Sequence, residues 1–268
     1  MKRALVQELV ALGLRPLAEG IVVESKTYGP AAEKGVRKLQ AKKGLEVDGV
    51  VGKDTWRALG VNEPVVDTGA ANGLSAARSK EYVDLWRSCA VRPQRLDEAN
   101  GLAKRIAANK KRYVDAGKPH GVPWHVVGVI HMLESSADFT KHLHNGDPLT
   151  ARTVRVPKGR PANGNPPFKW ETSASDALVF DHLSTWTNWS VPGTLFVLER
   201  FNGFGYRDKG INTPYLWSFS NHYTKGKFVG GKQFSATAVS EQCGAAVLLR
   251  QLVAAGLTEI DGAALNGG

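Results

Sequence analysis

The sequence contains little of what stabilises a small secreted domain. It has two cysteines, Cys89 and Cys243, far apart in a chain of 268 residues. A chain of this length can bury a large apolar core, so it needs neither disulfide bonds nor a structural metal for stability. We therefore expect two unpaired thiols in a protein made in a reducing compartment, although the sequence leaves a disulfide between them open.

Long apolar runs are also missing. No segment approaches the roughly 20 apolar residues that a membrane-spanning helix needs, so we expect no stable membrane insertion. The N-terminus begins basic and then apolar, but Gln7 and Glu8 interrupt it, and Arg15-Pro16 arrive before a signal-peptide core could form. We expect no signal peptide, and therefore accumulation in the cytoplasm and release by another route if the protein acts outside the cell.

Acidic residues are the minority among the charged ones. Lys and Arg number 35 against 25 Asp and Glu, which gives a net charge of +10 at pH 7. This balance favours an anionic partner. The densest basic groups, at residues 110–112 and 42–43, are short and typical of solvated helix faces, so we expect no nucleic-acid partner. A cell wall that carries peptide carboxylates fits the same charge.

Hydrophobic periodicity divides the chain into two helical units. Residues 1–62 contain short helical segments, the last of them capped by Asp54 or Thr55 after an Asp-Gly turn. Residues 63–78 are rich in Gly, Ala and Asn and are typical of a linker. Residues 79–268 form the larger unit. The sequence thus predicts a mainly α protein with a small β region: a strand at residues 153–156, and helices at residues 33–43, 78–90, 95–116, 122–134, 173–183, 194–201 and 239–255.

Glu134 is the strongest candidate for a catalytic residue. It ends an almost uninterrupted apolar segment, residues 122–133, in which Pro123 suits the first turn of a helix. A helix that is apolar on nearly all faces belongs in the middle of a domain. A carboxyl group at its C-terminal end is partly desolvated and close to the negative end of the helix dipole, and both effects favour the protonated form. Cleavage of a glycosidic bond needs such an acid, because the leaving oxygen must receive a proton. In the plainer interpretation, Glu134 is only the first polar residue after a core helix.

A series of short motifs marks the N-terminal unit. Leu39-Gln40, Asp48-Gly49, Val51-Gly52, Thr55-Trp56 and Leu59 follow one another in the sequence. In order and spacing they resemble the small three-helix peptidoglycan-binding module of many bacterial and phage wall enzymes. The first half of the module is degenerate, with Val6-Gln7 in place of its Leu-Gln pair. The resemblance implies that residues 1–62 bind peptidoglycan, with Gln40, Asp48, Thr55 and Trp56 as the module residues that either contact the wall or hold the fold.

The larger unit resembles the lysozyme superfamily, above all goose-type lysozymes and soluble lytic transglycosylases. The resemblance is carried by Glu134-Ser135 at the end of the apolar helix, followed by a loop-rich stretch and further helices. It implies Glu134 as the general acid, and we include Ser135 and Ser136 beside it among the candidate substrate-binding residues. A looser counterpart of the transglycosylase motif Tyr-Asn-Ala-Gly occupies residues 201–206, with Phe in place of Tyr. This part of the resemblance implies sugar contacts from Asn202 and Tyr206.

The stretch from His144 to Pro157 resembles phage endolysins built from the same two modules, and we include His144 among the candidate substrate-binding residues. A sugar cleft also needs stacking surfaces. Tyr215 and Trp217 follow Thr213-Pro214 in a loop-like stretch, so we expect them on an exposed wall of the cleft. Most other aromatic residues of this half belong in the core.

The second carboxylate decides the chemistry. An inverting hydrolase needs a base about 6.5–9.5 Å from the acid to activate water. Asp147, in the loop after the Glu134 helix, is the first candidate, although an Asp before Pro also shapes turns. Glu171 is the second, or else a first-turn charge of the next helix. A lytic transglycosylase needs neither, because the 6-hydroxyl of the muramic acid itself attacks.

Two other classes of protein remain as alternatives. In a zinc peptidase, His142 and His144 would lie on one face of a strand, with Asp147 and either His182 or His222 completing the site. The ligand spacing of the known wall peptidases is not reproduced. A non-catalytic wall-binding or virion protein on the same scaffold is the other alternative.

The favoured interpretation is a modular phage endolysin that needs no cofactor or metal and acts as a monomer. It binds peptidoglycan and cleaves the β-1,4 bond between N-acetylmuramic acid and N-acetylglucosamine, either as a muramidase or as a lytic transglycosylase. It would accumulate in the host cytoplasm and reach the periplasmic peptidoglycan of a Gram-negative host after holin-type release.

Overall fold

The computed structural model describes residues 2–14, 30–49, 53–59, 73–155, 157–229 and 233–263. The chain divides into two compact units, Met1–Val66 with Phe228–Phe234, and Asp67–Lys227 with Ser235–Gly268. Most of the linker predicted at residues 63–78 lies outside the described residues, and the domain boundary stays a prediction. The described part is mainly helical, which confirms the predicted fold class.

The described part of the N-terminal unit contains three helices: α1 (Lys2–Ala11), α2 (Pro30–Lys42) and α3 (Lys53–Ala58). Helix α2 packs against both α1 and α3. Because apolar residues recur at helical spacing, one face of each helix can be buried. The buried core consists of Leu5, Leu9, Ala32, Val36, Leu39 and Leu59. Asp54 and Thr55, predicted as capping residues, lie instead inside the first turn of α3, because that helix already begins at Lys53.

The larger unit is built around one buried helix, α7 (Trp124–Ser135). Every residue from His125 to Leu133 in it is buried, as the continuous apolar sequence predicts. Gly128 permits close packing at its centre, since a Cβ atom there would lie 2.6 Å from Ile106 Cγ2. The surrounding helices are α4 (Ala76–Ser88), α5 (Leu96–Ala108), α6 (Lys110–Gly117), α8 (Trp170–Phe180), α9 (Val191–Asn202), α10 (Pro214–Trp217) and α11 (Ala245–Ala254). Of these, α5, α6 and α11 pack directly against α7.

Two predicted elements of this unit are wrong. The helix predicted over residues 95–116 is interrupted at Asn109, whose φ of −106° and ψ of 14° leave the helical region and whose side chain donates to Arg105 O. The strand predicted at residues 153–156 is not formed at residues 153–155, and Val156 lies outside the described residues. The amides of Val154 and Arg155 donate instead to the carboxylate of Asp147. This carboxylate takes the place of the carbonyl oxygens that a neighbouring strand would offer to these amides.

The final helix is shorter than predicted, and a hairpin was missed. The helix was predicted to start at residue 239 but starts at Ala245, because the backbone of Gly244 is extended. Gly244 also packs closely on the main chain of Leu216, since a Cβ atom at Gly244 would lie 2.3 Å from Leu216 O. Strands β1 (Lys227–Val229) and β2 (Gln233–Ser235) pair with each other. Among the described residues, no helix is both long enough and apolar enough to cross a membrane.

Candidate active site

Glu134 lies where the buried helix α7 stops. Two successive non-glycine residues with positive φ, Ser136 (55°) and Ala137 (53°), end the helix. Their amides donate to Met132 O and His131 O, which satisfies carbonyl groups that the helix end leaves unpaired. Left-handed backbone in residues other than glycine is strained and is tolerated only where the surrounding structure enforces it. Glu134 is partly exposed at this point.

Tyr215 contacts Glu134 from a distant part of the chain. Its hydroxyl donates a hydrogen bond of 3.3 Å to Glu134 Oε1. Burial raises the pKa of the Tyr215 hydroxyl well above its usual value, and the negative charges of Glu134 and Asp181 raise it further. The phenol therefore stays neutral at physiological pH and keeps its proton as a hydrogen-bond donor. Asp181, which follows helix α8, is a carboxylate near this hydroxyl that sequence reasoning missed.

The short helix α10 holds Tyr215 in place. Thr213 caps it, with its Oγ1 accepting a hydrogen bond from the Tyr215 amide. The Tyr215 ring also stacks on Phe201, with 6.4 Å between ring centroids and 26° between planes. The tyrosine was predicted on an exposed wall, but its side chain reaches inward to the carboxyl group, and it is only partly exposed.

The last turn of α7 has two further contacts from distant parts of the chain. Gln242 Nε2 donates to the carbonyl oxygen of Leu133, the residue before Glu134. Gly146 packs on the carbonyl oxygen of Glu134. A Cβ atom at Gly146 would lie 2.9 Å from that oxygen. Gln242 is exposed and belongs to no local motif, so its contact with helix α7 could not be predicted from the sequence.

Asp147 has the surroundings of a structural carboxylate and not of a base. It is 2% exposed. Its Oδ2 accepts from the amides of Val154 at 2.9 Å and Arg155 at 3.0 Å, and its Oδ1 accepts from Arg155 Nε at 2.6 Å. Burial acts to raise the pKa of Asp147, but these hydrogen bonds outweigh it and lower the pKa. Both oxygens are thus engaged by the protein, and burial keeps water away from them.

Glu171, the other predicted base, forms an ion pair. Its Oε1 accepts from Arg112 Nε at 2.7 Å, and the same guanidinium lies 3.7 Å from the ring centroid of Phe139. Burial acts to raise the pKa of Glu171, but the bond from Arg112 and the bond to its own amide lower it. Glu171 lies in the first turn of α8, where a negative charge favours the helix dipole. This agrees with the interpretation of Glu171 as a first-turn charge of the helix.

The predicted sugar-binding residues divide into buried and exposed ones. Trp217 is 1% exposed and Tyr206 8%, so the prediction that Trp217 forms an exposed wall is wrong. Trp217 lines a cavity of about 220 Å³ together with Glu199 and Arg207, and its indole packs on His222.

The remaining members of the predicted set lie on helix ends. Ser135 is buried, and its hydroxyl donates back to His131 O at 3.2 Å. Ser136 is exposed beside Glu134, and Asn202 is exposed at the end of α9. Ser136 and Asn202 are therefore accessible to a polymer in solution.

The histidines proposed as zinc ligands belong to a buried polar network. His142 uses both ring nitrogens, with Nδ1 2.8 Å from Ser173 Oγ and Nε2 2.8 Å from Ala151 O. His144 Nε2 lies 2.8 Å from Asp176, which also pairs with Arg160. His144 is 4% exposed, so its predicted contact with substrate is not supported.

The other two histidines do not join this network. His182 is exposed and follows the end of helix α8, and His222 Nε2 lies 2.8 Å from Leu85 O. Within the described ranges, no group of three or more His, Cys, Asp or Glu residues is placed to hold a metal ion. Cys89 and Cys243 are free, buried thiols, and burial raises the pKa of each.

In the N-terminal unit, four of the motif residues form hydrogen bonds with one another. Gln40 is 1% exposed, and its Nε2 donates to Asp48 Oδ1 at 2.6 Å and to Thr55 Oγ1 at 3.1 Å. Its Oε1 accepts from the Gly49 amide at 2.8 Å. This geometry assigns Gln40, Asp48 and Thr55 to the fold of the module. The Trp56 side chain and the motif residues Val51-Gly52 lie outside the described residues.

Comparison with known families bears on this unit. Residues 3–59 match the family model PG_binding_1, a peptidoglycan binding domain. No match was found among curated proteins or among solved structures. The chain therefore carries a peptidoglycan-binding module at its N-terminus, and peptidoglycan is its partner.

Proposed function

We propose that this protein is a wall-lytic glycosidase. Its N-terminal module holds it on peptidoglycan, and the larger unit cleaves the β-1,4 bond between N-acetylmuramic acid and N-acetylglucosamine with Glu134 as general acid. The observation that carries the proposal is the hydrogen bond from Tyr215 to Glu134 at the exposed end of a buried helix. A carboxyl group that accepts a hydrogen bond from a neutral donor, on a partly exposed residue, is suited to transfer a proton to a bound polymer.

The chemistry follows from this pair. Glu134 gives its proton to the glycosidic oxygen as the bond to the sugar breaks, and positive charge develops on the sugar ring. The carboxylate that remains accepts the hydrogen bond from Tyr215, which stabilises the charge formed in the transition state. Where one carboxyl group serves in both steps, Glu134 then takes a proton from the attacking hydroxyl group as it adds to the sugar.

The identity of that hydroxyl group separates two enzyme classes. In a muramidase it belongs to water, and a second carboxylate activates it. In a lytic transglycosylase it is the 6-hydroxyl of the muramic acid, and one carboxyl group acts as acid and then as base. The engagement of Asp147 by Arg155 and of Glu171 by Arg112 favours the second route.

The same proposal includes the biological setting. We place the protein in phage-induced lysis, where it would act on periplasmic peptidoglycan after release from the host cytoplasm. Its charge of +10 would favour approach to an anionic wall. This attraction should weaken as salt screens it.

The test compares the wild-type protein with Glu134→Gln on purified Gram-negative peptidoglycan. We expect the variant to keep its melting temperature and its wall binding and to lose about 100-fold or more of the release of soluble fragments. Glu259→Gln, a change in an exposed glutamate of the same unit, is the matched control and should retain full activity. Lysis by Glu134→Gln at the wild-type rate would overturn the proposal.

A further inference from the structure

The loop of residues 142–147 is a closed turn that follows the catalytic helix. The His142 amide donates to Asp147 O at 2.7 Å, and the Gly146 amide donates to His142 O at 3.0 Å. The Asp147 amide donates to Asn145 Oδ1 at 3.0 Å. Three hydrogen bonds within six residues fix the path of the main chain through Gly146.

Gly146 in this loop packs closely on the main chain of Glu134. Gly146 has a φ of +74°, and a Cβ atom there would lie 2.9 Å from the Glu134 carbonyl oxygen. A side chain at this position would therefore force either the loop or the last turn of the helix to move. Only glycine satisfies both the positive φ and the close approach.

The other side of the loop is tied to residues 154–155 by Asp147. The buried carboxylate accepts two amide hydrogen bonds and one from the Arg155 side chain. Asn145 adds to the same cluster, with Nδ2 donating to Asp147 Oδ2 at 3.1 Å and to Arg155 O at 3.1 Å. A carboxylate in such a cluster is costly to replace, because its removal leaves buried donors without partners.

We propose that Asp147 and Gly146 are positioning residues for Glu134. Asp147 fixes the position of the loop through its hydrogen bonds to residues 154–155. Gly146, held in that loop, packs on the main chain of Glu134 and so fixes the position of the general acid. This inference rests on the proposed function, since it gives Glu134 the catalytic role. The position of Asp147 in the sequence resembles that of a second catalytic carboxylate. The inference gives Asp147 a different role, one that needs no contact with substrate.

The test uses Gly146→Ala, Asp147→Asn and a control, Thr153→Val, in the full chain. Thr153 is buried in the same segment, and its hydroxyl donates to Pro157 O and accepts from the Arg160 amide. All three changes should lower the melting temperature. Kinetics on soluble glycan fragments are measured at a temperature where each variant is folded.

We expect Gly146→Ala and Asp147→Asn to lower kcat about tenfold or more, with KM changed about twofold or less, because a misplaced acid slows chemistry more than binding. Thr153→Val should keep kcat near the wild-type value. A pH titration of the ¹³C-labelled Glu134 carboxyl group provides a readout independent of turnover. Its midpoint should move in the first two variants and not in the third.

The outcomes separate the inference from the proposed function. A wild-type protein no more active than Glu134→Gln would overturn the glycosidase proposal and with it the role assigned to the loop. An active wild type would leave that proposal standing. In that case, Gly146→Ala and Asp147→Asn with kcat and Glu134 titration like those of Thr153→Val would overturn the positioning role alone.

Discussion

The hydroxyl of Tyr215 donates a hydrogen bond of 3.3 Å to Glu134 Oε1, although the two residues are 81 positions apart in the chain. One lies at the end of the buried helix and the other in a one-turn helix capped by Thr213. The fold thus fixes a carboxyl group with a donor whose own proton is held firmly, since burial and the neighbouring negative charge raise the pKa of the phenol.

Replacing Tyr215 by Phe should lower kcat about tenfold and leave KM nearly unchanged. The ring and its stacking on Phe201 stay, while the hydrogen bond that stabilises the Glu134 carboxylate is lost. Because the carboxylate becomes less stable, Glu134 keeps its proton to higher pH, and the alkaline limb of the kcat profile moves upward. The measurement is kcat against pH on soluble glycan fragments. An unchanged rate with an unchanged limb would show that the contact has no catalytic role.

Gln242 should matter through the main chain of the same helix end. Replacement by Ala removes the donor to Leu133 O, next to Glu134, and we expect a several-fold loss of kcat with a small change in melting temperature. Gln233→Ala, an exposed glutamine on strand β2, is the matched control and should behave like the wild type. Equal rates for both variants and the wild type would remove Gln242 from the account.

The N-terminal module depends on Gln40 for its fold. Gln40→Ala removes the Oε1 acceptor used by the Gly49 amide and the Nε2 donor to Asp48 and Thr55, so the module should lose about 2 kcal/mol or more of stability. Binding to insoluble peptidoglycan should fall, while turnover of soluble fragments by the larger unit continues. Lys38→Ala, an exposed change on the same helix, is the control for a cosedimentation assay. Full wall binding by Gln40→Ala would contradict the role given to this residue.

Much of the fold could be predicted from local pattern. The apolar run before Glu134 predicts the buried helix because a segment without a polar face has to be surrounded on all sides. The break at Asn109 could not be predicted, since it depends on the side chain bonding back to Arg105 O. The missing strand at residues 153–155 has a similar cause, because the amides of Val154 and Arg155 find their acceptor in Asp147.

The site was predictable only where it is local. Glu134 is marked by the helix that precedes it, whereas Gln242 and Gly146 reach it through tertiary packing that no short motif records. Tyr215 was predicted on the wall of a cleft, and its hydrogen bond to Glu134, 81 positions earlier in the chain, could not be predicted from the sequence. Trp217, from the same stretch, turns into the core because the one-turn helix α10 directs the two side chains differently.

Buried histidines should make stability fall on acidification. Burial is the main reason that the pKa of His131 lies at about 4, and the pKa of His125 is lowered to about 4 in the same way. The unfolded chain binds a proton at each from about pH 6.5 downward, so the free energy of unfolding falls between pH 6.5 and 4 and levels off below. Each can contribute a loss on the order of 3 kcal/mol.

The check is urea unfolding at pH 7 and pH 4.5 for the wild type and His131→Phe. Phe fits among Phe139 and Trp170, whose ring centroids each lie 4.6 Å from that of His131. The variant is expected to lose less stability than the wild type between the two pH values, whatever its stability at pH 7. Equal losses would mean that His131 is already protonated in the folded protein at pH 4.5.

The most direct measurement is mass spectrometry of the fragments released from purified Gram-negative peptidoglycan by the wild type, with Glu134→Gln as the blank. The account predicts cut glycan strands that are absent from the blank, with 1,6-anhydro ends if the muramic acid hydroxyl attacks and ordinary reducing ends if water does. Intact glycan with cut peptides, or fragments that persist in Glu134→Gln, would contradict it.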